Sequence, residues 1–245
     1  MDSIIVSASS KDFYKNTDLY KSLSKHFGHC VYSNIIPRPY MDGNIVTFWA
    51  NPSNFLDIKE SNKEGLTSVY NKFLKKYKDK DTIIFVHDDV FIDSVDFINT
   101  VNDFLHNKDF AVVGLAGGSN IQKKKPFLWH LATKKETQSG IVFHPHNGGN
   151  FPTIFGPTPK EVAVLDGLFL AVNVKKLQEN NITFDENIKG FHQYDMKFCI
   201  DCKKAGLKLT TAPINVIHNS PGLSNIKDKT FLQAEEYILN SISSH

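Results

Sequence analysis

The sequence has little cysteine, no long apolar run and almost no excess of charge, and each shortage excludes a class of protein. Three cysteines in 245 residues cannot form a disulfide framework, which favours a reducing, cytoplasmic compartment. Lysine and arginine total 28 against 26 acidic residues, a balance that argues against a nucleic-acid partner. The longest apolar stretch, 162–174, contains Asp166 and Asn173 and is shorter than the ~20 residues of a transmembrane segment. The first ten residues do not match a secretory signal.

Two phosphate-binding fingerprints are also missing. The chain contains no Walker lysine loop and no G-x-G-x-x-G pattern, since the glycines of GLAGG at 114–118 have the wrong spacing. A nucleotide ligand would therefore have to be held in another way.

What is present is a chain rich in core-forming residues. Hydrophobic residues make up 41% of it, with 19 phenylalanines, so a packed core is expected. Apolar β-branched runs at 3–7, 82–86, 110–115, 162–165, 168–172 and 209–217 alternate with amphipathic helical patterns at 17–27, from Ser61 or Asn62 to 77, 94–105, 191–205 and 229–242. This alternation predicts one α/β domain whose sheet carries helices on both faces.

Three predictions concern the irregular parts. Gly28 is expected to end the first helix, and extended segments are expected at 30–36 and 45–50. From 119 to 160 the periodicity is lost, with only a weak strand at 141–143, so a long binding loop or lid is expected there.

The motif FVHDDV, residues 85–90, places His87, Asp88 and Asp89 directly after the strongest predicted strand. Open α/β sheets bind ligands at the carboxyl ends of their strands. Two adjacent acids repel unless a cation or a raised pKa relieves them, and carboxylates with an imidazole suit Mn²⁺ or Mg²⁺. The alternative is that one of the acids begins a turn or caps the next helix.

Three further positions carry polar groups at places where burial is costly. Asp166 and Gly167 interrupt an apolar run, so the acid has either a function or a hydrogen-bonded place in a bulge or turn. Asp195 lies in the first turn of a predicted helix, where it could accept a substrate proton or simply favour the helix dipole. His218 ends a strand and is a metal ligand or a structural histidine.

Two other patterns are less informative. Cys199 and Cys202 have C-x-x-C spacing but lie within a helix, which disfavours redox or zinc chemistry. His144 and His146 flank a proline in the irregular segment and could bind a metal or the substrate.

Taken in order, these segments resemble the GT-A glycosyltransferases, most closely a family-2-like group with a His-x-Asp-Val form of the D-x-D motif. The resemblance includes SVYNKF at 68–73, FVHDDV, VVGLAGG, LDGLFLAV, FDENIKGFHQYDMKFC and IHNS. It implies a GT-A domain with a mixed, mostly parallel central sheet, in which 1–118 binds the nucleotide sugar and 119–245 binds the acceptor.

The resemblance also implies roles at matching positions. Asp89 and His218 would bind Mn²⁺ or Mg²⁺. The reaction would be an inverting transfer of a sugar from a nucleotide-diphosphate donor, with a UDP-sugar favoured, to a glycan hydroxyl. Asp195 would be its general base. The donor-binding residues it implies are Ser7, Ala8, Ser9, Asn71, His87, Asp88, Asp166 and Gly167.

The sequence departs from the pattern in two places. His87 replaces the first acid of the D-x-D triplet, and Lys197 stands where relatives often have a second acid. If that later acid is normally the base, His192 is the alternative base here.

Two other functions stay open at this stage. A non-catalytic module that binds sugar nucleotides or glycans would tolerate Lys197. His87, Asp89 and His218 also match the two-histidine, one-carboxylate triad of non-haem Fe(II) oxygenases, which are usually built on all-β barrels. The sugar, the acceptor and the oligomeric state are not encoded in any of these patterns.

Overall fold

The computed structural model describes residues 1–32, 56–121, 125, 128–220 and 229–243. The strands are β1 Ser3–Ala8, β2 Leu56–Lys59, β3 Thr82–Val86, β4 Val90–Ile92, β5 Val112–Gly114, β6 Ala116–Gly118, β7 Gln138–His146, β8 Gly149–Gly156, β9 Lys160–Val162, β10 Val164–Leu165, β11 Phe169–Asn173, β12 Leu209–Thr211 and β13 Val216–His218. The helices are α1 Asp18–Tyr32, α2 Leu66–Lys76, α3 Phe97–Asn102, α4 Trp129–Ala132, α5 Val174–Glu179, α6 Tyr194–Lys204 and α7 Lys229–Ser243. One π-helical turn, Asp103–Asn107, continues α3.

Seven strands form the first sheet, in the order β2-β1-β3-β11-β5-β12-β9. The expected mixed, mostly parallel α/β sheet is confirmed, since β2, β1, β3, β5 and β12 run in one direction and β11 and β9 run against them. β1 pairs in parallel with β2 and β3, as β12 does with β5, whereas β11 is antiparallel to both of its neighbours and β9 to β12. All residues of β3 and β11 are buried, which explains their continuous apolar sequences.

A second sheet has the order β10-β6-β7-β13-β4, and β8 pairs with β7. The register of β13 on β4 sets His218 opposite Val90, the residue after Asp89. Two segments that are far apart in the sequence therefore meet at one point.

The prediction of a long loop over 119–160 is wrong for 138–156. Residues 138–156 form a hairpin of two long strands, β7 and β8. Asn147 and Gly148 connect the strands, and both have positive φ angles, 47° and 81°. Such angles at both central residues are typical of a two-residue turn that follows the twist of a hairpin.

Several predicted boundaries were also wrong. α1 continues past Gly28 to Tyr32, so Cys30 is helical rather than extended, while 33–36 and 45–50 lie outside the described residues. α2 begins at Leu66 rather than at Ser61 or Asn62. α3 begins at Phe97 rather than at Ser94, whose side chain accepts a hydrogen bond from the amide of Asn215.

Two predicted elements differ in extent at the C-terminal side. α6 begins three residues later than predicted, at Tyr194, and the strand expected over 209–217 is two strands, β12 and β13. Within the described residues, no helix is both long enough and apolar enough to cross a bilayer.

Candidate active site

The HDD motif forms the tight connection between β3 of the first sheet and β4 of the second. The amide of Val90 donates to the carbonyl of His87 at 3.3 Å, and the amide of His87 donates to the carbonyl of Leu168 at 3.0 Å. The second bond places the Asp166–Gly167 segment beside the motif. The two sheets and the start of β11 therefore converge on His87.

His87, Asp89 and His218 form a cluster that fits a divalent cation. One potential ligand atom from each lies within 4.8 Å of the other two. Asp89 Oδ1 and His218 Nε2 are buried and 3.3 Å apart, and apart from this contact with each other neither atom has a hydrogen-bond partner in the described part of the chain. Buried polar atoms are normally paired, so a shared cation would satisfy both. Two imidazoles and a carboxylate are donors that suit divalent transition-metal ions.

The charges of this cluster influence one another. Burial opposes ionisation of Asp89, but contact with His218 and the nearby His87 lowers the pKa of its carboxyl below the usual value. Burial likewise opposes protonation of His218, but Asp89 raises its pKa. Burial, together with the proximity of His218, lowers the pKa of His87. Asp89 is therefore an anion in a cluster that attracts positive charge.

Asp88 points toward the end of β1. The hydroxyl of Ser9 donates to Asp88 Oδ2 at 2.6 Å, and the backbone carbonyl of Asp88 accepts from the amide of Asp18 at the start of α1. The side chain of Asp88 is thus oriented by a neighbouring strand end.

Asp195 is held by two backbone amides. Its Oδ2 accepts from Gly167 and its Oδ1 from Met196, both at 2.8 Å. Burial, and next the negative charge of Asp166, raise the pKa of Asp195 to about 7. A carboxyl group with this pKa takes up and releases protons near neutral pH.

Tyr194 links this acid to the metal cluster. Its hydroxyl lies 2.7 Å from His87 Nε2 and donates to the carbonyl of Gly167 at 2.9 Å. A Cβ atom on Gly167 would lie 2.7 Å from Tyr194 Cζ and 3.0 Å from Asp195 Cβ. Only glycine leaves room here for the start of α6.

One cavity of about 620 Å³ contains most of the predicted site. The predicted residues that line it are Ala8, His87, Asp88, Asp89, Asp166, Gly167, His192, Asp195 and His218. The ring of His192 packs against Phe231 of α7 with 5.5 Å between centroids.

Three predicted donor-binding residues do not line this cavity. Ser9 reaches it only through Asp88, and Ser7 is fully buried in β1, where its hydroxyl has no partner among the described residues. Asn71 lies in a separate cavity, where its amide nitrogen donates to the carbonyl of Phe184 and its oxygen accepts from the Phe184 amide. Asn71 therefore stabilises the backbone at Phe184.

Other residues of the cavity are not among the donor-binding, metal-binding or catalytic residues that the resemblance implies, although His144 was considered as a possible metal or substrate ligand. They are Leu66, Tyr70, Trp129, His130, His144, Thr153, Phe155, Phe191, Gln193, Tyr194, Met196, Ser220 and Phe231. Three of them, His144, Thr153 and Phe155, come from the hairpin that was predicted as a loop. The Asn147-Gly148 pair is the sequence signal that could have revealed it.

The remaining sequence patterns have structural explanations. Cys199 and Cys202 are fully buried in α6, and burial raises the pKa of both thiols, which disfavours redox chemistry. His144 bonds through Nδ1 to the carbonyl of His218, whereas His146 is exposed beside Asn147 at the hairpin turn. The pair does not form a metal site of its own.

Lys197 faces away from the cavity. Its ammonium group lies 2.6 Å from Asp201 and 3.1 Å from Asp185, and only 9% of its side chain is exposed. Residues two apart on a helix point in different directions, so position 197 does not share the surroundings of Asp195.

Comparison with known structures identifies the fold class. GalNAc-T7, solved with UDP, GalNAc and Mn²⁺, aligns over 98% of this chain at 10% identity and a TM-score of 0.56, although the chain covers only 48% of GalNAc-T7. The mannosyltransferase PcManGT of Pyrobaculum calidifontis, in complex with GDP-Man and Mn²⁺, aligns over 97% of this chain and 69% of its own at 13% identity and a TM-score of 0.48. A197 from STIV aligns over 94% of this chain and 100% of its own, with 15% identity and a TM-score of 0.45. The fold is that of the GT-A glycosyltransferases.

The family model described as a glycosyltransferase-like family matches residues 52–237. The chain therefore belongs to this glycosyltransferase-like family. No curated protein matches it. The family and the mixed α/β fold leave the oxygenase hypothesis without the all-β barrel it would need.

Proposed function

We propose that this protein is a metal-dependent, inverting glycosyltransferase that moves a sugar from a nucleotide-diphosphate donor, a UDP-sugar in the first place, to a glycan hydroxyl. The observation that carries the proposal is that one cavity contains both a cation-binding cluster and a carboxyl group with a pKa of about 7. The GT-A likeness to a protein solved with UDP, GalNAc and Mn²⁺ supports this choice of donor and metal.

The donor diphosphate is assigned to the metal cluster. Asp89, His218 and His87 would hold Mn²⁺ or Mg²⁺, which when bound supplies Lewis-acid charge to the departing diphosphate. Asp88, oriented by Ser9, and Ala8 would contact the nucleoside or the sugar. The segment 1–118 would thus supply most donor contacts, while the acceptor meets 119–245, including the hairpin.

Asp195 is assigned the role of general base. It takes the proton of the acceptor hydroxyl while that oxygen attacks the anomeric carbon, and the bond from this carbon to the diphosphate oxygen breaks with its electron pair leaving on the diphosphate. Displacement from the opposite side inverts the anomeric configuration. Asp166 and Gly167 lie beside the reacting groups, and His192 is a second candidate base in the same cavity.

Ligand-induced stabilisation tests the donor and the metal together. Melting temperatures would be measured with UDP, GDP and dTDP, each with Mn²⁺, Mg²⁺ or EDTA. A ligand at 100 times its Kd adds about 2.7 kcal/mol, which shifts the melting temperature by several degrees. The shift should disappear in EDTA and in Asp89→Ala but persist in Asp79→Ala, a change at an exposed aspartate outside the cavity.

Release of UDP from UDP-sugars, with and without glycan acceptors, then tests catalysis, and the anomeric configuration of the product tests inversion. Nucleotide binding without turnover would support a non-catalytic binding module instead. Stabilisation by Fe(II) and 2-oxoglutarate but by no nucleotide would contradict the transferase proposal.

A further inference from the structure

Tyr194 has only one hydroxyl proton, and besides the hydroxyl of Tyr70, with which it shares a hydrogen bond, it has two polar neighbours. One neighbour is the carbonyl oxygen of Gly167 at 2.9 Å, which can only accept a hydrogen bond. The other is Nε2 of His87 at 2.7 Å, which donates or accepts according to its tautomer. Because the hydroxyl of Tyr194 donates its proton to the carbonyl of Gly167, the imidazole of His87 must supply the proton of the hydrogen bond between His87 and Tyr194. Nε2 of His87 is therefore the protonated nitrogen.

This assignment determines which nitrogen of His87 has a free lone pair. A histidine binds a metal through an unprotonated nitrogen, and the lone pair of Nε2 is replaced by an N–H directed at Tyr194. The lone pair that His87 retains is on Nδ1. His87 belongs to the cluster whose potential ligand atoms lie within 4.8 Å of one another.

The rest of the surroundings keeps Tyr194 in place. Its side chain is 2% exposed, and its ring packs edge-on against Tyr70 with 5.5 Å between centroids. The backbone of Gly167 is held on both sides, since its amide donates to Asp195 and its carbonyl accepts from Tyr194. The hydroxyl of Tyr194 is thus held in place, and it can hold the imidazole ring of His87 in one orientation.

We propose that Tyr194 is a positioning residue for the metal site, which orients His87 and holds its proton on Nε2 so that Nδ1 is the metal-binding nitrogen. Groups that hydrogen-bond to a metal-binding histidine fix its tautomer and orientation, and their loss typically lowers metal affinity about 10- to 100-fold. The tautomer stands on the hydrogen bonds alone, whereas the effect on affinity rests on the metal site of the proposed function.

The tautomer is measured in the metal-free protein by long-range ¹H–¹⁵N NMR of the histidine rings, with the signal of His87 assigned by its absence in His87→Gln. The expected result is an Nε2–H tautomer in the wild type and a mixture of tautomers in Tyr194→Phe. An Nδ1–H tautomer in the wild type would overturn the proposal, whatever the protein binds.

Metal affinity is measured by titration with Mn²⁺ in the presence of UDP, with EPR detection of the free ion. Tyr194→Phe retains the aromatic ring and should weaken Mn²⁺ binding at least tenfold. The matched control is Tyr77→Phe, which removes a hydroxyl bonded to Asp57 at 2.5 Å outside the cavity and should leave the affinity unchanged.

The outcomes separate the two proposals. If the wild type binds Mn²⁺ and Tyr194→Phe binds it equally well or more tightly, with both proteins folded by circular dichroism, the positioning role is refuted and the transferase proposal stands. If the wild type binds no Mn²⁺ even with UDP, the metal-dependent transferase and the positioning role at the metal both fail.

Discussion

Asp195 and Gly167 are joined by a hydrogen bond of 2.8 Å in which the glycine amide donates to the carboxylate. Met196 donates to the other carboxylate oxygen at the same distance. The acid is thus fixed in orientation, although burial and the nearby Asp166 raise its pKa to about 7. A group held in this way can act as a base without first having to be oriented.

Asp195→Asn tests this role directly. The amide retains the size of the side chain but cannot take a proton, and a positioned base contributes about 10²- to 10⁴-fold. We expect turnover to fall by about that factor while binding of UDP with Mn²⁺ survives. The measurement is the steady-state rate together with the thermal shift, with Asp79→Asn as the control. A full rate in Asp195→Asn and a large loss in His192→Gln would transfer the role to His192.

The pH dependence of the rate follows from the same pKa. Asp195 must be deprotonated to accept a proton, so kcat/KM should rise with pH through about 7 and level off above it. The profile would be recorded with saturating Mn²⁺. A rising limb near pH 4 would show that the carboxyl titrates as an ordinary aspartate and would contradict the assigned environment.

The raised pKa of Asp195 also makes the stability of the folded protein depend on pH. The folded state retains a proton on Asp195 that the unfolded chain releases near pH 4, so stability falls as pH rises from about 4 to about 7. We expect denaturant unfolding of Asp195→Asn to lose part of this decline and to show a higher stability than the wild type at pH 8. Equal pH dependence of the two proteins would contradict this.

Gly167→Ala should disrupt the site through packing. The new methyl group would press on Tyr194 and Asp195, and overpacking of this kind typically costs about 1–3 kcal/mol. We expect a lower free energy of unfolding, together with a loss of turnover because the start of α6 must move. Gly149→Ala is the control, since its methyl group would meet its nearest atom at 3.6 Å. Equal effects of the two substitutions would exclude a special requirement at 167.

The sequence predicted which residues lie together in the cavity better than it predicted the elements around them. Ligands of open α/β sheets bind at the carboxyl ends of the strands, so acids and histidines that directly follow apolar strands are candidate ligands. This rule identified His87, Asp89, Asp166 and His218. Their distances could not be predicted, because the pairing of His218 with Val90 depends on strand register across two distant segments.

The errors have local causes. Gly140, Pro145 and Pro152 interrupt the alternation of the hairpin strands, so its pattern resembles that of a loop, and only the Asn147-Gly148 turn signals its presence. The amphipathic pattern over 191–205 predicts that Tyr194 is a core residue, because helical spacing reports burial. That interpretation is correct for its ring, but periodicity carries no information about the partners of a hydroxyl.

Lys197 stands at the position where related proteins often have a second acid, so substitutions there test whether this position takes part in catalysis. Its ammonium group pairs with Asp185 and Asp201, so Lys197→Ala leaves two partly buried acids without their cation. Breaking a buried pair on one side typically costs about 3–5 kcal/mol, and the partial exposure of both acids places the expected loss near the lower end. Denaturant unfolding measures this loss.

Because Lys197 lies outside the cavity, the folded fraction of Lys197→Ala should retain its turnover, and Lys197→Asp should not raise it. An increase in turnover in Lys197→Asp would show that position 197 reaches the reacting hydroxyl and would assign the base to that position.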